Sequence, residues 1–259
     1  MKKTIALLLL FLTPFSLFAF DHSYKSYGEF LAQNVVIVKT HSLVRYLNIK
    51  DDPNKFELIL ESFANVEKDD FDTWTKTQQQ AFLINAYNAL VIKLIYPHIY
   101  EIDSIEDIGG MFYYPFRDDF FVLLGEERDL NSIRRDLSYE KTQDARFFFT
   151  LCNSAITSPD LYEQPFTAEK LENQLEARTF KFMQDPSKNS ARFAKIKYVS
   201  LSSLLKDIEP DIKQQYGSLR NFIVKYMAQD LKEKQYHIAQ KTTFIVYKDF
   251  SMRLNKKAE

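Results

Sequence analysis

Few residues of this chain could do covalent chemistry. Its 259 residues include one cysteine, Cys152, and four histidines, His22, His41, His98 and His237. A cysteine nucleophile reacts as the thiolate and needs a base such as an imidazole beside it. Cys152 is therefore either the nucleophile of a cysteine-dependent hydrolase or transferase, with a histidine brought to it by the fold, or a small buried side chain of the core.

Composition and spacing argue against several other kinds of site. The cysteine and the histidines have neither the Cys-x-x-Cys nor the His-x-x-x-His spacing of a zinc site, so we expect no metal. Only five glycines are present and no phosphate-loop or dinucleotide fingerprint occurs, so we expect no cofactor. The 34 basic and 35 acidic residues nearly cancel, which gives no electrostatic reason to expect nucleic acid as a partner.

Polar side chains at two places could recognise a ligand. Asn85 and Asn88 lie three residues apart at the apolar edge of a predicted helix, where a buried amide must be hydrogen-bonded, either to a loop that it anchors or to a substrate. Arg134 and Arg135, together with Arg117, could form a pocket for an anion or belong to a solvated helix face.

The N-terminus has the pattern of an export signal. Lys2 and Lys3 precede an almost wholly apolar stretch, Thr4 to Phe18, and Ala19 is a small residue suited to the position before a cleavage point. The stretch is shorter than the roughly twenty residues of a membrane-spanning helix, although an uncleaved anchor is the alternative. We therefore expect a signal peptide over residues 1–19, a periplasmic or secreted protein, and no later membrane span.

The hydrophobic pattern predicts both helices and strands. We expect helices over residues 24–38, 53–64, 76–96, 165–183 and 221–228, with Thr77 and Thr167 as N-caps of the third and fourth. We expect strands over residues 120–124, 128–130, 146–151, 196–199 and 244–247, with a hairpin turn at 125–127 and a short helix capped by Asn131. The mixture predicts an α+β fold, as a single domain over residues 21–255 with a helical N-terminal part and a small, mostly antiparallel sheet.

One of these helices carries a recognisable motif. The segment Gln80-Ala81-Phe82-Leu83-Ile84-Asn85-Ala86-Tyr87-Asn88-Ala89-Leu90 resembles the pattern A-F-W-I-N-x-Y-N-A-L of the bacterial domain-of-unknown-function 547 (DUF547) family. Weaker similarities follow in the same order, among them Asp144 to Arg146 and Ser158 to Leu161, so the resemblance covers about residues 21–225. The biochemistry of that family is largely undefined. The resemblance implies a fold distantly like that of papain-type or transglutaminase-type cysteine hydrolases.

Members of that family often carry a segment like R-I-H-F-A-L-N-C-x-S-x-x-C-P, preceded by I-E-H, which supplies histidine and cysteine residues. In this chain Phe148 aligns with that histidine, and Asn153 and Ser158 align with the two cysteines. Arg134 and Arg135 replace the preceding Glu and His. The resemblance therefore implies that the reactive side chains of this segment have been lost.

Cys152 is one residue before the first cysteine of the family pattern. One step along a strand reverses the face to which a side chain points, although a bulge could restore the register. Of the histidines, only His22 matches a family position.

The sequence favours a catalytically degenerate DUF547-like protein of the cell envelope that binds a peptide, glycan or protein partner. The candidate binding residues are Asn85, Asn88, Arg134, Arg135, Asn153 and Ser158. The alternative is a cysteine-dependent hydrolase or transferase that uses Cys152 as nucleophile and His22 as base. A third hypothesis is an accessory protein whose aromatic loop, Phe112 to Phe116, docks an envelope partner.

Overall fold

The computed structural model describes residues 19–108, 114–194, 197–227, 232–239 and 243–257. All of the predicted signal peptide except Ala19 lies outside these ranges, and so do the first two residues of the aromatic loop.

Helices make up most of the described chain. The α-helices are α1 (Lys25–Asn34), α2 (Tyr46–Asp51), α3 (Asn54–Ala64), α4 (Lys68–Thr73), α5 (Lys76–Ile95), α6 (Leu130–Asp136), α7 (Tyr139–Thr142), α8 (Leu171–Gln184), α9 (Leu204–Asp207), α10 (Glu209–Tyr216), α11 (Leu219–Met227) and α12 (Lys232–Ala239). Three 3₁₀ turns cover Tyr96–His98, Ile105–Asp107 and Ala145–Thr150.

The strands form small separate sheets. They are β1 (Val35–Val38), β2 (His41–Val44), β3 (Phe121–Leu123), β4 (Glu126–Arg128), β5 (Ser190–Phe193), β6 (Lys197–Ser202) and β7 (Phe244–Lys248). The pairs β1–β2 and β3–β4 are antiparallel hairpins, and β6 pairs antiparallel with β5 and parallel with β7. The predicted single α+β domain with mostly antiparallel pairing is confirmed.

Helix α5 is the centre of the larger hydrophobic cluster. It is buried on all sides, with Phe82, Ile84 and Ile95 fully inaccessible, as expected for a helix that is apolar all round. Its predicted extent is confirmed, but its N-cap is Thr75 and not Thr77. The Thr75 side chain accepts from the backbone N–H of Gln78, and the Gln78 side chain accepts from the backbone N–H of Thr75 in a capping box.

The helix predicted over residues 24–38 ends earlier, at Asn34. The next four residues, Val35-Val36-Ile37-Val38, are all β-branched and form strand β1, which turns back into β2 through Lys39 in the left-handed region (φ 57°). The preference of β-branched side chains for extended backbone explains the difference.

The strand predicted over residues 146–151 is wrong, because this segment is the 3₁₀ turn Ala145–Thr150. The Asp144 carboxylate accepts a hydrogen bond from the backbone N–H of Arg146 and forms a salt bridge with the Arg146 guanidinium. The same guanidinium also forms salt bridges with Glu172 and Glu176. Phe147 packs into one hydrophobic cluster, and Phe148 and Phe149 pack into the other. A short apolar run that is buried on every side cannot be identified as strand or helix from periodicity alone.

The helix predicted from residue 165 begins only at Leu171. Both backbone polar groups of Phe166 bond to the side chain of Asn85, and the Gln174 amide bonds to Pro165 O and Thr167 N. These side chains hold residues 165–167 outside the helix. Similarly, the short helix α6 is capped by Asp129 and not by Asn131.

Two hydrophobic clusters meet along α8. Leu171 and Leu175 belong to the cluster around α5, whereas Phe182 and Met183 belong to a second cluster with β6, α10 and α11. The C-terminal segment packs against the first cluster. Leu254 forms an antiparallel β-bridge with Ala155, and its side chain is buried. Lys256 forms a parallel β-bridge with Val44. Among the described helices, none is long and apolar enough to cross a bilayer.

Candidate functional site

Cys152 is enclosed by the protein. The residue follows the 3₁₀ turn and is 2% exposed. Its sulfur accepts from the backbone N–H of Ser154 at 3.4 Å and lies 3.8 Å from Ser158 Oγ and from Asn255 Nδ2. Burial raises the pKa of the thiol against the opposing effect of the Ser154 and Ser158 hydrogen bonds. The thiol is therefore protonated and inaccessible, unlike the exposed thiolate of a nucleophile.

Over the described ranges, the hydrogen bonds of Cys152 include none to an imidazole. His22 lies near the N-terminus with its ring centroid 4.4 Å from that of Trp74, and burial lowers its pKa. The other histidines lie in β2, in the 3₁₀ turn after α5, and in α12. Within the described residues, Cys152 and His22 form no hydrogen bond, and a hydrolase using this pair would need one.

Asn85 and Asn88 both act as clamps on the backbone of other segments. Asn85 donates to Phe166 O at 2.8 Å and accepts from Phe166 N at 2.9 Å. Asn88 donates to Thr150 O at 3.0 Å and accepts from Cys152 N at 2.9 Å. Both ends of each buried amide are thus engaged, which is the loop-anchoring role that the sequence suggested.

Asn153 and Ser158 also bond to nearby backbone. The Asn153 carboxamide oxygen accepts from Ala155 N at 3.1 Å. Ser158 is 2% exposed and donates to Ala155 O at 2.7 Å. Neither residue lines either of the two cavities described below.

Sequence reasoning missed the polar cluster around Cys152. The Tyr46 hydroxyl lies 2.7 Å from Ser154 Oγ and 3.0 Å from Asn255 Oδ1, and Ser154 adopts a left-handed backbone (φ 61°). The Asn255 backbone N–H donates to Ser154 O. These partners come from opposite ends of the chain, so no local pattern could have joined them.

A buried ion cluster was also missed. Lys188 is almost fully buried, with Nζ 2.9 Å from Asp160 and 3.3 Å from Asp185. Asp160 also accepts from the backbone N–H of Ser42, and the Arg178 guanidinium donates to its carbonyl oxygen. A buried charge needs such partners, and here they fasten β2 to the loop before α8, to the middle of α8 and to the segment after it.

The three arginines proposed for an anion pocket do not come together. The Arg134 guanidinium lies 5.2 Å from the centroid of the Phe148 ring. Phe148 is the residue that the resemblance aligns with a histidine. Arg135 projects elsewhere, because neighbouring residues of a helix point about 100° apart. Arg117 is exposed and lies over the ring of Tyr114.

Arg135 lines a groove of about 610 Å³ between α4, α5, the β3–β4 hairpin, α6 and α7, which we call the charged groove. Among its lining residues, six charged side chains form neither an ion pair nor a side-chain hydrogen bond within the described ranges: Lys76, Arg135, Lys141, Asp119, Glu126 and Glu127. The three cations come from helices. Two of the three carboxylates come from strand β4 of the hairpin, and the third, Asp119, lies two residues before β3. Phe71 and Leu83 supply apolar surface between them.

No group of three or more histidine, cysteine, aspartate or glutamate side chains in the described part of the chain is arranged to hold a metal ion.

The comparisons with known proteins agree with the resemblance. The profile of the family described as "Protein of unknown function, DUF547" matches residues 71–183. No curated protein and no solved structure matches the chain. The matched part holds α5 with both amide clamps, the enclosed Cys152 and all of the charged groove except Lys68. Residues 71–183 of this chain are therefore a DUF547 domain.

Proposed function

We propose that this DUF547 protein is exported to the cell envelope and binds a peptide in the charged groove without catalysing a reaction on it. The observation that carries the proposal is that three cations and three carboxylates, none of them with an ion-pair partner among the described residues, line the same groove. A peptide offers both carboxylate and ammonium groups, whereas a neutral glycan offers neither. The enclosed thiol of Cys152 supports binding without turnover.

The test is calorimetric titration with unblocked tetrapeptides that carry both Glu and Lys. We expect Arg135→Ala to weaken binding about tenfold, because a charge-assisted hydrogen bond to the ligand is lost. Arg117→Ala is the matched control, since Arg117 is exposed and lies outside the groove. Equal binding constants for the wild-type protein and Arg135→Ala would refute the charged groove as the binding site.

Export is supported by the pattern of residues 1–19, with its basic start, apolar stretch and Ala19. The test is osmotic-shock fractionation followed by mass spectrometry of the N-terminus. We expect a shortened chain in the envelope or culture fluid. A full-length chain confined to the cytoplasm would refute export.

A further inference from the structure

A second cavity lies beside the N-terminal segment, and the charged groove does not include it. It measures about 840 Å³ and is bounded by Ala19 to His22, α1, α3 and the end of α4; we call it the N-terminal cavity. Ligand pockets in proteins occupy roughly 300–1,000 Å³ and are mostly apolar with a few polar groups. The size of this cavity therefore fits a small molecule.

Aromatic rings form a preformed wall in this cavity. The Phe20 ring centroid lies 5.3 Å from that of Trp74 and 6.1 Å from that of Phe63. Trp74 also packs edge-to-face on Phe82, which is fully buried. Leu58 extends the apolar surface at the rim, where it is 65% exposed. An apolar chain placed here would cover surface that now faces solvent.

The rim of the cavity carries an excess of negative charge. Among the described residues, Asp21, Glu29 and Asp70 line it against the cation Lys55, and the α-ammonium group that cleavage after Ala19 would leave on Phe20 still leaves the carboxylates in excess. The Asp21 carboxylate accepts hydrogen bonds from Ser23, which lower its pKa and keep it ionised. His22 adds no positive charge at neutral pH, because burial lowers its pKa below the usual 6.5. A ligand with a cationic head would complement this rim.

We propose that the N-terminal cavity binds a small amphiphile, with its apolar chain among the aromatic rings and its cationic head beside the rim carboxylates. Aromatic faces add to the attraction for such a head. The site is separate from the proposed peptide site: Lys68 and Phe71 line the charged groove, whereas Asp70 and Trp74 line the N-terminal cavity.

The chain has a built-in reporter for this site, because Trp74 is its only tryptophan. The experiment titrates the protein, as isolated from its host, with decyltrimethylammonium and separately with decyl sulfate, both below their micelle concentrations. We expect a saturable change of tryptophan fluorescence, at a concentration about tenfold lower for the ammonium than for the sulfate. A response to neither probe, or a preference for the sulfate, would overturn the proposal.

Paired variants separate the effect of the rim from that of total charge. Glu29→Gln with Asp70→Asn should remove the preference for the ammonium probe. Glu61→Gln with Asp69→Asn changes the net charge equally but lies outside the cavity, and it should keep the preference. Loss of the preference in the second pair would refute the role of the rim.

Two further variants test the place of binding. Ser62→Phe, on α3, should fill the cavity and remove the fluorescence response, with circular dichroism to confirm folding. Arg135→Ala should leave the response unchanged, so that failure of the peptide site and failure of this site are distinguishable. A full fluorescence response in a folded Ser62→Phe protein would show that the probe binds elsewhere and would overturn the proposal. If Ser62→Phe does not fold, the rim variants test the place of binding instead.

Discussion

The backbone around Cys152 is held by side chains from distant parts of the sequence. Asn88 bonds to the Cys152 N–H, Asn255 approaches its sulfur, and Tyr46 ties Asn255 to Ser154. A catalytic thiol needs a positive neighbour, a base and access to solvent. This thiol has hydrogen-bonding neighbours in a closed space, so its contribution at neutral pH is to packing.

The enclosed thiol predicts a pH dependence of stability. Because burial raises its folded-state pKa, the unfolded chain releases the proton first as the pH rises above about 8.5. The free energy of unfolding should therefore fall between pH 8 and 9.5, by up to about 1.4 kcal/mol per pH unit from this group. Urea unfolding of the wild-type protein and Cys152→Ala measures the effect. Identical pH slopes for the two proteins would contradict it.

The amide clamp of Asn88 predicts a large loss of stability on truncation. Asn88→Ala leaves the buried Thr150 C=O and Cys152 N–H without partners, at a cost of about 3 kcal/mol. Chemical denaturation checks this. Asn173→Ala is the matched control, since Asn173 is an exposed residue within helix α8 and its change to Ala has the same intrinsic effect on helix formation. Equal midpoints for the two variants would show that the clamp is not stabilising.

The hydrogen-bonding role of a polar residue could be predicted from the sequence where that role follows from burial alone. A polar amide on an otherwise apolar helix must find backbone partners, and Asn85 and Asn88 do. The burial of Lys188 between Asp160 and Asp185 could not be predicted, because lysine is normally exposed and its partners depend on the tertiary fold.

At the scale of elements, prediction succeeded where local signals agree. Helix α5 combines a capping box, a continuous apolar surface and a terminating proline, and its extent was predicted. The segments 145–150 and 165–170 were predicted wrongly because tertiary partners override local preference there. Arg146 is drawn to Glu172 and Glu176, and Phe166 is held by Asn85. Neither interaction is visible in a window of a few residues.

Residues 19–22, the N-terminal segment of the described chain, form neither helix nor strand but contribute to the packing. Phe20 packs against the rings of Trp74, Phe63 and Phe82, so the packed part of the described chain includes the residue before the predicted domain start.

We expect Phe20→Ala to lower the free energy of unfolding by about 2 kcal/mol, since a partly buried aromatic side chain is removed. Thermal unfolding of the chain beginning at Ala19 provides the measurement, with Phe180→Ala as a control at a more exposed ring. A destabilisation no larger than that of Phe180→Ala would argue against an anchoring role.

At the scale of the whole molecule, the C-terminal segment completes the core of the N-terminal half. Leu254 is buried in the cluster around α5, and Asn255 links β2, Tyr46 and the Cys152 turn. The first and last parts of the domain are thus joined by direct contacts.

Truncation after Ser251 should therefore open the Cys152 site. We expect about 4 kcal/mol of destabilisation from the loss of Leu254 packing and the Asn255 hydrogen bonds, and a thiol that reacts with a disulfide reagent under native conditions. The intact protein, with its thiol closed off, is the comparison. A truncated protein whose Cys152 stays unreactive would contradict this account.

The position of Asn255 also bears on when the fold can form during synthesis. Tyr46 is made more than two hundred residues before its partner Asn255, and the domain cannot close around Cys152 until the ribosome has released that partner. Long-range contacts of this kind slow folding. We therefore expect the nascent polypeptide to stay open around Cys152 until Asn255 has emerged, which is compatible with the export proposed above.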